Sequence, residues 1–252
     1  MKRKVTRGGA GASDEQTRKR VEELVSAGMP FQMAMSVAKE RMSLNEALER
    51  MAQRADVDRL MRRHDLSRAL ATQIALGHAD LDVFLWKQRF QRHREEHHST
   101  SCLREAQEDI GAWTFAVHGQ RRVTGRVLDV TPYAVTLQPT GAPEEEIHKL
   151  QFKFGVRAEA FKKVRKLMRT DDALASAPRA PIARPQDRYS CSDKRLFRYI
   201  DASTKVVVTL LEGEVFVGKA TWFGRYEFGL ELKNGSLVTC FRHALHRIEA
   251  FD

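Results

Sequence analysis

The chain has 252 residues, 43 of them Lys or Arg and 33 Asp or Glu, so its formal net charge is +10 and its sequence pI is near 9.7. A chain of this length suits roughly two domains and excludes a single small disulfide-stapled module, while the charge favours a polyanionic partner. Cys102, Cys191 and Cys240 lie far apart with no CxxC pair, so neither a zinc site nor a disulfide framework is expected and a reducing cytoplasmic setting is.

In chain order, MKRKVTRGGAGAS (1–13) reads as a flexible basic tail rather than a signal peptide. No apolar run approaches the length of about 18 residues that a membrane span needs. From Asp14 to about residue 98 apolar residues such as Val21, Leu24 and Val25, then Met33, Val37 and Ala38, recur at three- and four-residue steps, the period of a helix that buries one face. This α-helical module repeats itself. Residues 29–48 align with residues 66–85 at a shift of 37, pairing Met29 with Leu66, Ala34 with Ala71 and Leu48 with Leu85, as two helix-turn-helix units would. Ser43 and Glu46 form a capping box, so a helix should begin after Ser43; Gly77 can close a helix and Asp80 can cap the next.

The period changes from 3.6 to 2 within residues 101–155. After a short helix in LREAQEDIG come apolar alternations at 113–117, 123–130, 134–137 and 147–154, with Gly119, Gly125, Pro132 and Gly141 at the bends. Residues 156–170 return to helical spacing, with Arg157, Lys162, Lys163, Arg165, Lys166 and Arg169 set against Glu159. That imbalance suits an RNA backbone. Residues 171–190, with Pro178, Pro181 and Pro185 among alanines, read as an extended linker. Residues 191–252 repeat the plan of a short helix followed by five short strands, with Gly213, Gly218 and Lys233-Asn234-Gly235 at the turns.

Charge is unevenly placed along this order. Residues 1–100 net +5, 101–155 net −1, 156–192 net +5 and 193–252 net +1. The two β segments are close to neutral, so the helical module and the connector should supply the electrostatic attraction.

GRYEFGLELKNG, followed by FRHALHRI, and VVVTLLEGEVFVG before them give residues 193–252 a pattern that resembles the Sm-like fold of the bacterial Hfq-type RNA chaperone family. Residues 103–155 resemble a second, more diverged copy, with Pro132-Tyr133-Ala-Val-Thr-Leu137 in place of the central strand and Ile147-His148-Lys149-Leu150 in place of the closing motif. For residues 101–155 and 191–252 the resemblance implies two small, strongly bent, five-stranded Sm-like β-barrels, each with a short N-terminal helix; with the N-terminal all-α helical module read from the periodicity, an α+β multidomain chain is expected. The resemblance also implies ring-like homo-oligomers over which single-stranded RNA threads. Phe228 would stack on a base while Arg242 and His243 bind phosphate and a base edge, and Tyr133, His148 and Lys149 would do so in the first copy. Arg242 and Glu227 depart from the family's Lys and Gln at their positions.

The residues also admit plainer readings. Phe228 suits the core of any β structure. His93 and His97 are four apart but lack a third ligand, so no metal site is expected. No Gly-rich phosphate loop, nucleophile elbow or paired-carboxylate constellation is visible, so neither an enzyme nor a cofactor is expected. The expectation is a cytoplasmic protein that holds single-stranded RNA, an RNA chaperone or post-transcriptional regulator, with a possible protein partner at the helical module. The alternative is a scaffold whose β domains oligomerise and whose helical repeats bind a protein.

Overall fold

A computed structural model describes residues 10–177 and 179–251. Residues 1–9 of the expected basic tail lie outside the described residues, as does Pro178 of the expected linker. Two units are present, dividing between Leu85 and Trp86.

The first unit is helical, as its period demands: α1 (Ala10–Ser26), α2 (Phe31–Ala38), α3 (Leu44–His64), α4 (Arg68–Ala75) and the start of α5 (Leu81–His97). Residues 10–13 are thus the first turn of a helix rather than part of a tail. A shift of 37 carries α2 onto α4 and the start of α3 onto that of α5. It also pairs the left-handed backbone positions, Gly28 (φ 91°) with Asp65 (φ 51°) and Glu40 (φ 55°) with Gly77 (φ 72°). The helix starts follow the capping rules. Ser43 Oγ accepts from the Glu46 N–H at 3.1 Å, Ser67 Oγ from Leu70 N–H at 3.4 Å and Asp80 Oδ1 from Asp82 N–H at 2.8 Å. Ala34 and its counterpart Ala71 have no solvent exposure, each at the centre of a small core.

The second unit contains α6 (Cys102–Glu108), β1 (Trp113–Val117), β2 (Arg121–Val130), β3 (Ala134–Pro139), β4 (Glu145–His148), β5 (Phe152–Arg157), α7 (Ala158–Arg165), β6 (Arg169–Thr170), α8 (Asp172–Ala175), α9 (Asp193–Asp201), β7 (Lys205–Leu210), β8 (Glu214–Phe223), β9 (Glu227–Leu232), β10 (Leu237–Phe241) and β11 (Leu245–Ala250). The strands form one open antiparallel sheet in the order β11-β7-β8-β9-β10-β5-β1-β2-β3-β4, with β6 added beside β8.

Two separate five-stranded Sm-like barrels are therefore not what this sequence builds. The physical reason lies at the β5–β10 edges, where Cys240 pairs with Phe154 and Thr239 with Gly155, so backbone groups that would end one sheet bond to the next strand. The cores interpenetrate as well: Ala116, Phe154 and Val156 join the core built mainly by β7–β11, while Phe241 and Ala244 join the one built by α6 and β1–β5. The connector also differs from expectation. Val156 and Arg157 finish β5, the helix spans only Ala158–Arg165, and the stretch read as an extended linker holds α8 and a 3-10 turn at Pro185–Asp187.

Within the sheet the two five-stranded segments repeat at a gapless shift of 93. It takes β3 (Ala134–Pro139) to β9 (Glu227–Leu232), β5 to β11, Gly125 to Gly218, and the ladder irregularity after Val127 to the one after Ala220. Gly125 and Gly218 are the close-approach points. A Cβ at either would press into the carbonyl of Gln138 or Glu231 on the neighbouring strand, so only glycine lets β2 and β8 bend across their partners.

Candidate functional site

The turns β2–β3 and β8–β9 each present one aromatic ring. Tyr133 is 75% exposed and Tyr226 61% exposed, and the shift of 93 superposes them. The Tyr133 carbonyl accepts from Lys149 N–H at 2.7 Å and the Tyr226 carbonyl from Arg242 N–H at 2.8 Å. Each exposed ring thus sits where a cationic residue begins a 3-10 turn, Lys149–Gln151 in one case and Arg242–Ala244 in the other.

The cations around the rings differ. Lys149 is half-buried, and burial, aided by the Arg104 charge, holds its ammonium below the usual lysine range against the opposing pull of Glu227. Its neighbour His148 is exposed, yet its Nδ1 accepts from Leu150 N–H at 3.1 Å and so caps the turn. In the second station the Arg242 guanidinium bonds Asp193 at 2.7 Å, the Gly224 carbonyl at 3.1 Å and the Cys191 carbonyl. Arg225 supplies the loose cation, its guanidinium 5.0 Å from the centre of the Tyr226 ring, a cation–π distance. Arg94, His98 and Arg225 meet Arg242 around a hollow of about 210 Å³.

Three expected roles need correction. Phe228 has no solvent exposure and packs in the main core, so it cannot present a face to a base; burying such a ring stabilises the fold by about 1.5–3 kcal/mol. His243 is buried, with its Nε2 2.8 Å from the Phe152 carbonyl, and burial pushes its imidazole down to about 4, leaving a neutral structural donor. Arg242 is a structural clamp between β10, α9 and the Gly224 turn rather than an open phosphate ligand. The resemblance gives Tyr133 the place that Phe228 holds in the second copy. The strand ladder instead equates Val130↔Val135 with Phe223↔Phe228, which makes Tyr226 the counterpart of Tyr133. Sequence reasoning missed Tyr226 and Arg225; the shift of 93 was the signal that could have found Tyr226, whereas Arg225 corresponds to Pro132 and had none.

Of the basic connector, Arg157 is engaged with Glu105 at 2.9 Å and with Asp109, its guanidinium 5.5 Å from the Trp113 ring centre. Lys162, Lys163, Arg165 and Lys166 are exposed around α7, whose Val164 is buried, and Arg169 is exposed on β6. His93 and His97 lie with ring centres 4.6 Å apart beside Phe197, Phe223 and Trp222, so they join the aromatic packing of α5. Burial and the neighbouring His97 lower the His93 pKa, against Glu96. Among the described residues no group of three or more His, Cys, Asp or Glu is placed to hold a metal ion, and no helix is long and apolar enough to cross a membrane.

Comparison of the chain with protein-family models, with curated proteins and with solved structures finds no match.

Proposed function

We propose that this protein binds single-stranded RNA without catalysis, stacking bases on Tyr133 and Tyr226 and holding the backbone with nearby cations. The observation that carries the reading is the recurrence of one arrangement at two equivalent turns: an exposed tyrosine whose carbonyl is bonded by the first residue, a cation, of a 3-10 turn. An aromatic face accepts any base, and a cation beside it holds phosphate. The resemblance to Hfq-type RNA chaperones supports the same reading, with Tyr226 rather than Phe228 as the stacking residue of the second segment. Lys162, Lys163 and Arg165 extend the positive surface from α7.

Homo-oligomers are part of the proposal. Under the shift of 93 the end strands β4 and β11 correspond to β10 and β5, the pair already bonded inside the chain, so the β4 edge of one copy suits the β11 edge of another. Such a head-to-tail contact closes into a ring if its rotation permits. The three cysteines are free and buried, which supports a reducing cytoplasmic location. The scaffold alternative draws on the helical unit, where Phe31 and Leu48 are 63% and 51% exposed, an apolar display suited to a protein partner.

Titration of labelled oligo(U) and oligo(A) with the full chain tests the reading. Affinity should fall steeply with salt, and Tyr133→Ala and Tyr226→Ala should each cost roughly 1–3 kcal/mol of binding, the range for one stacked base. Absence of binding to either oligomer at low salt would reject RNA in favour of the scaffold.

A further inference from the structure

Three lysines from the nearly neutral C-terminal segment converge with two cations of the connector. Lys166 and Arg169 meet Lys205, Lys219 and Lys233 around a groove of about 490 Å³, in which Glu231 is the acidic lining residue. Five pieces of chain build it. The end of α7 brings Lys166, β6 brings Arg169 by pairing with Val215 of β8, β7 and β8 bring Lys205 and Lys219, and the β9–β10 turn brings Lys233.

The arrangement costs stability. Lys205 and Lys219 are direct cross-strand partners, and like charges directly opposite each other destabilise a sheet. Glu231 pairs with Lys219 in the β8–β9 register, but none of the five cations takes part in an ion pair among the described residues. The same place in the first five-stranded segment is not built this way. A shift of 93 maps Lys205, Lys219 and Lys233 to Ala112, Arg126 and Thr140, and among the described residues no strand corresponding to β6 lies beside β2 in the sheet order. The cluster therefore belongs to this segment and its connector, not to the repeated fold.

We infer that this groove is a phosphate-backbone channel for RNA, separate from the two tyrosine stations. The inference rests on the RNA-binding reading and gives it a second, sequence-independent point of attachment. A groove suits a linear polyanion better than a flat lipid surface does, and Phe251, 47% exposed on its wall, offers an apolar face to a ribose or base. Leu167, Val217, Gly218 and Leu232 supply the rest of the uncharged lining.

The test uses the full chain and labelled oligo(U), comparing wild type with the triple variant Lys205→Gln, Lys219→Gln, Lys233→Gln. Each phosphate of a single strand that the protein no longer neutralises lowers the log–log salt slope by roughly 0.7. Three such phosphates lower it by about 2, which is roughly a 100-fold loss of affinity at 0.1 M salt when 1 M is the common reference. These lysines are exposed, so circular dichroism should show the variant folded; Lys233→Gln alone, in an exposed turn, keeps the test open with about a 5-fold loss. Wild type that binds RNA in a tyrosine-dependent way, with slope and affinity unchanged in these variants, overturns the channel and leaves the RNA reading standing. Wild type that binds no RNA overturns both. Lysine-dependent binding to phosphatidylserine vesicles, with no binding to RNA, overturns the channel in favour of a lipid surface.

Discussion

Lys153 has no solvent exposure, and its ammonium bonds the carboxylates of Glu212 in the β7–β8 turn and Glu214 at the start of β8. The contact joins β5 of the first segment to the second, and replacing Lys153 with Met keeps its bulk while removing the charge. Breaking a buried pair by removing one partner costs about 3–5 kcal/mol. Glu212 keeps two backbone donors, Gly119 N–H at 2.7 Å and Gln120 N–H at 2.9 Å, so the lower end, about 3 kcal/mol, is expected, a large share of a typical stability of roughly 5–15 kcal/mol. Burial alone would raise the Glu212 carboxyl, but the Lys153 bond and the two N–H groups hold it below its ordinary value of 4.5. Its contribution in the wild type is therefore present above that value and is lost as pH falls through the folded one. Without Lys153 its bond and charge no longer oppose burial, the carboxyl takes up a proton more readily than in the wild type, and the penalty should shrink toward pH 5. Urea unfolding followed by tryptophan fluorescence reads this unit, because Trp86, Trp113 and Trp222 all lie within it. A variant as stable as wild type at pH 7, or a deficit that stays constant or grows from pH 7 to 5, would refute the reasoning.

Two further outcomes follow from buried groups and close approaches. Burial outweighs the bond to the Phe152 carbonyl and pushes the His243 imidazole from 6.5 to about 4, so between those values the unfolded chain binds more protons and stability is lost as pH falls, by up to about 3 kcal/mol. His243→Gln should flatten the stability–pH curve in that window, and an unchanged slope counts against the assignment. Gly218→Ala places a methyl against the Glu231 carbonyl and Leu230; overpacking of this kind costs about 1–3 kcal/mol, so the thermal midpoint should drop by several degrees, and an unchanged midpoint would show that β8 does not need the close approach.

Local features were legible in the sequence and long-range pairing was not. The helix starts at Ser43 and Asp80 and the repeat at 37 could be read because capping and helical period act over a few residues. The bend at Gly125 could be read because glycine interrupts an alternating run, whereas Gly218, read as a turn residue, lies inside β8. The β5–β10 junction was hidden because it consists of backbone bonds between Phe154 and Cys240, far apart in sequence, with no side-chain signature. Strand β6 was hidden because two residues, Arg169 and Thr170, are too few to show a period. The pairing of Tyr133 with Phe228 instead of Tyr226 is a slip of two residues, and a slip of two preserves the in–out alternation of a strand, so hydrophobic pattern alone could not detect it.

The same repeat separates what the fold requires from what is free to serve a ligand. Where backbone geometry makes a demand, the two segments agree: Gly125 and Gly218 at the bends, Val135 and Phe228 buried with no exposure, Lys149 and Arg242 donating to a tyrosine carbonyl. Where cations face solvent they disagree. Arg242 is committed to Asp193 and two carbonyls, and its station gains Arg225 instead, whereas Lys149 forms no ion pair among the described residues. Lys205 and Lys233 have no cationic counterparts in Ala112 and Thr140. Net charge by segment conceals this, because 193–252 sums to only +1 while three of its lysines share one groove. Setting Lys205 opposite Lys219 works against the stability of the sheet, and that cost is the ground for reading the groove as a place for a ligand.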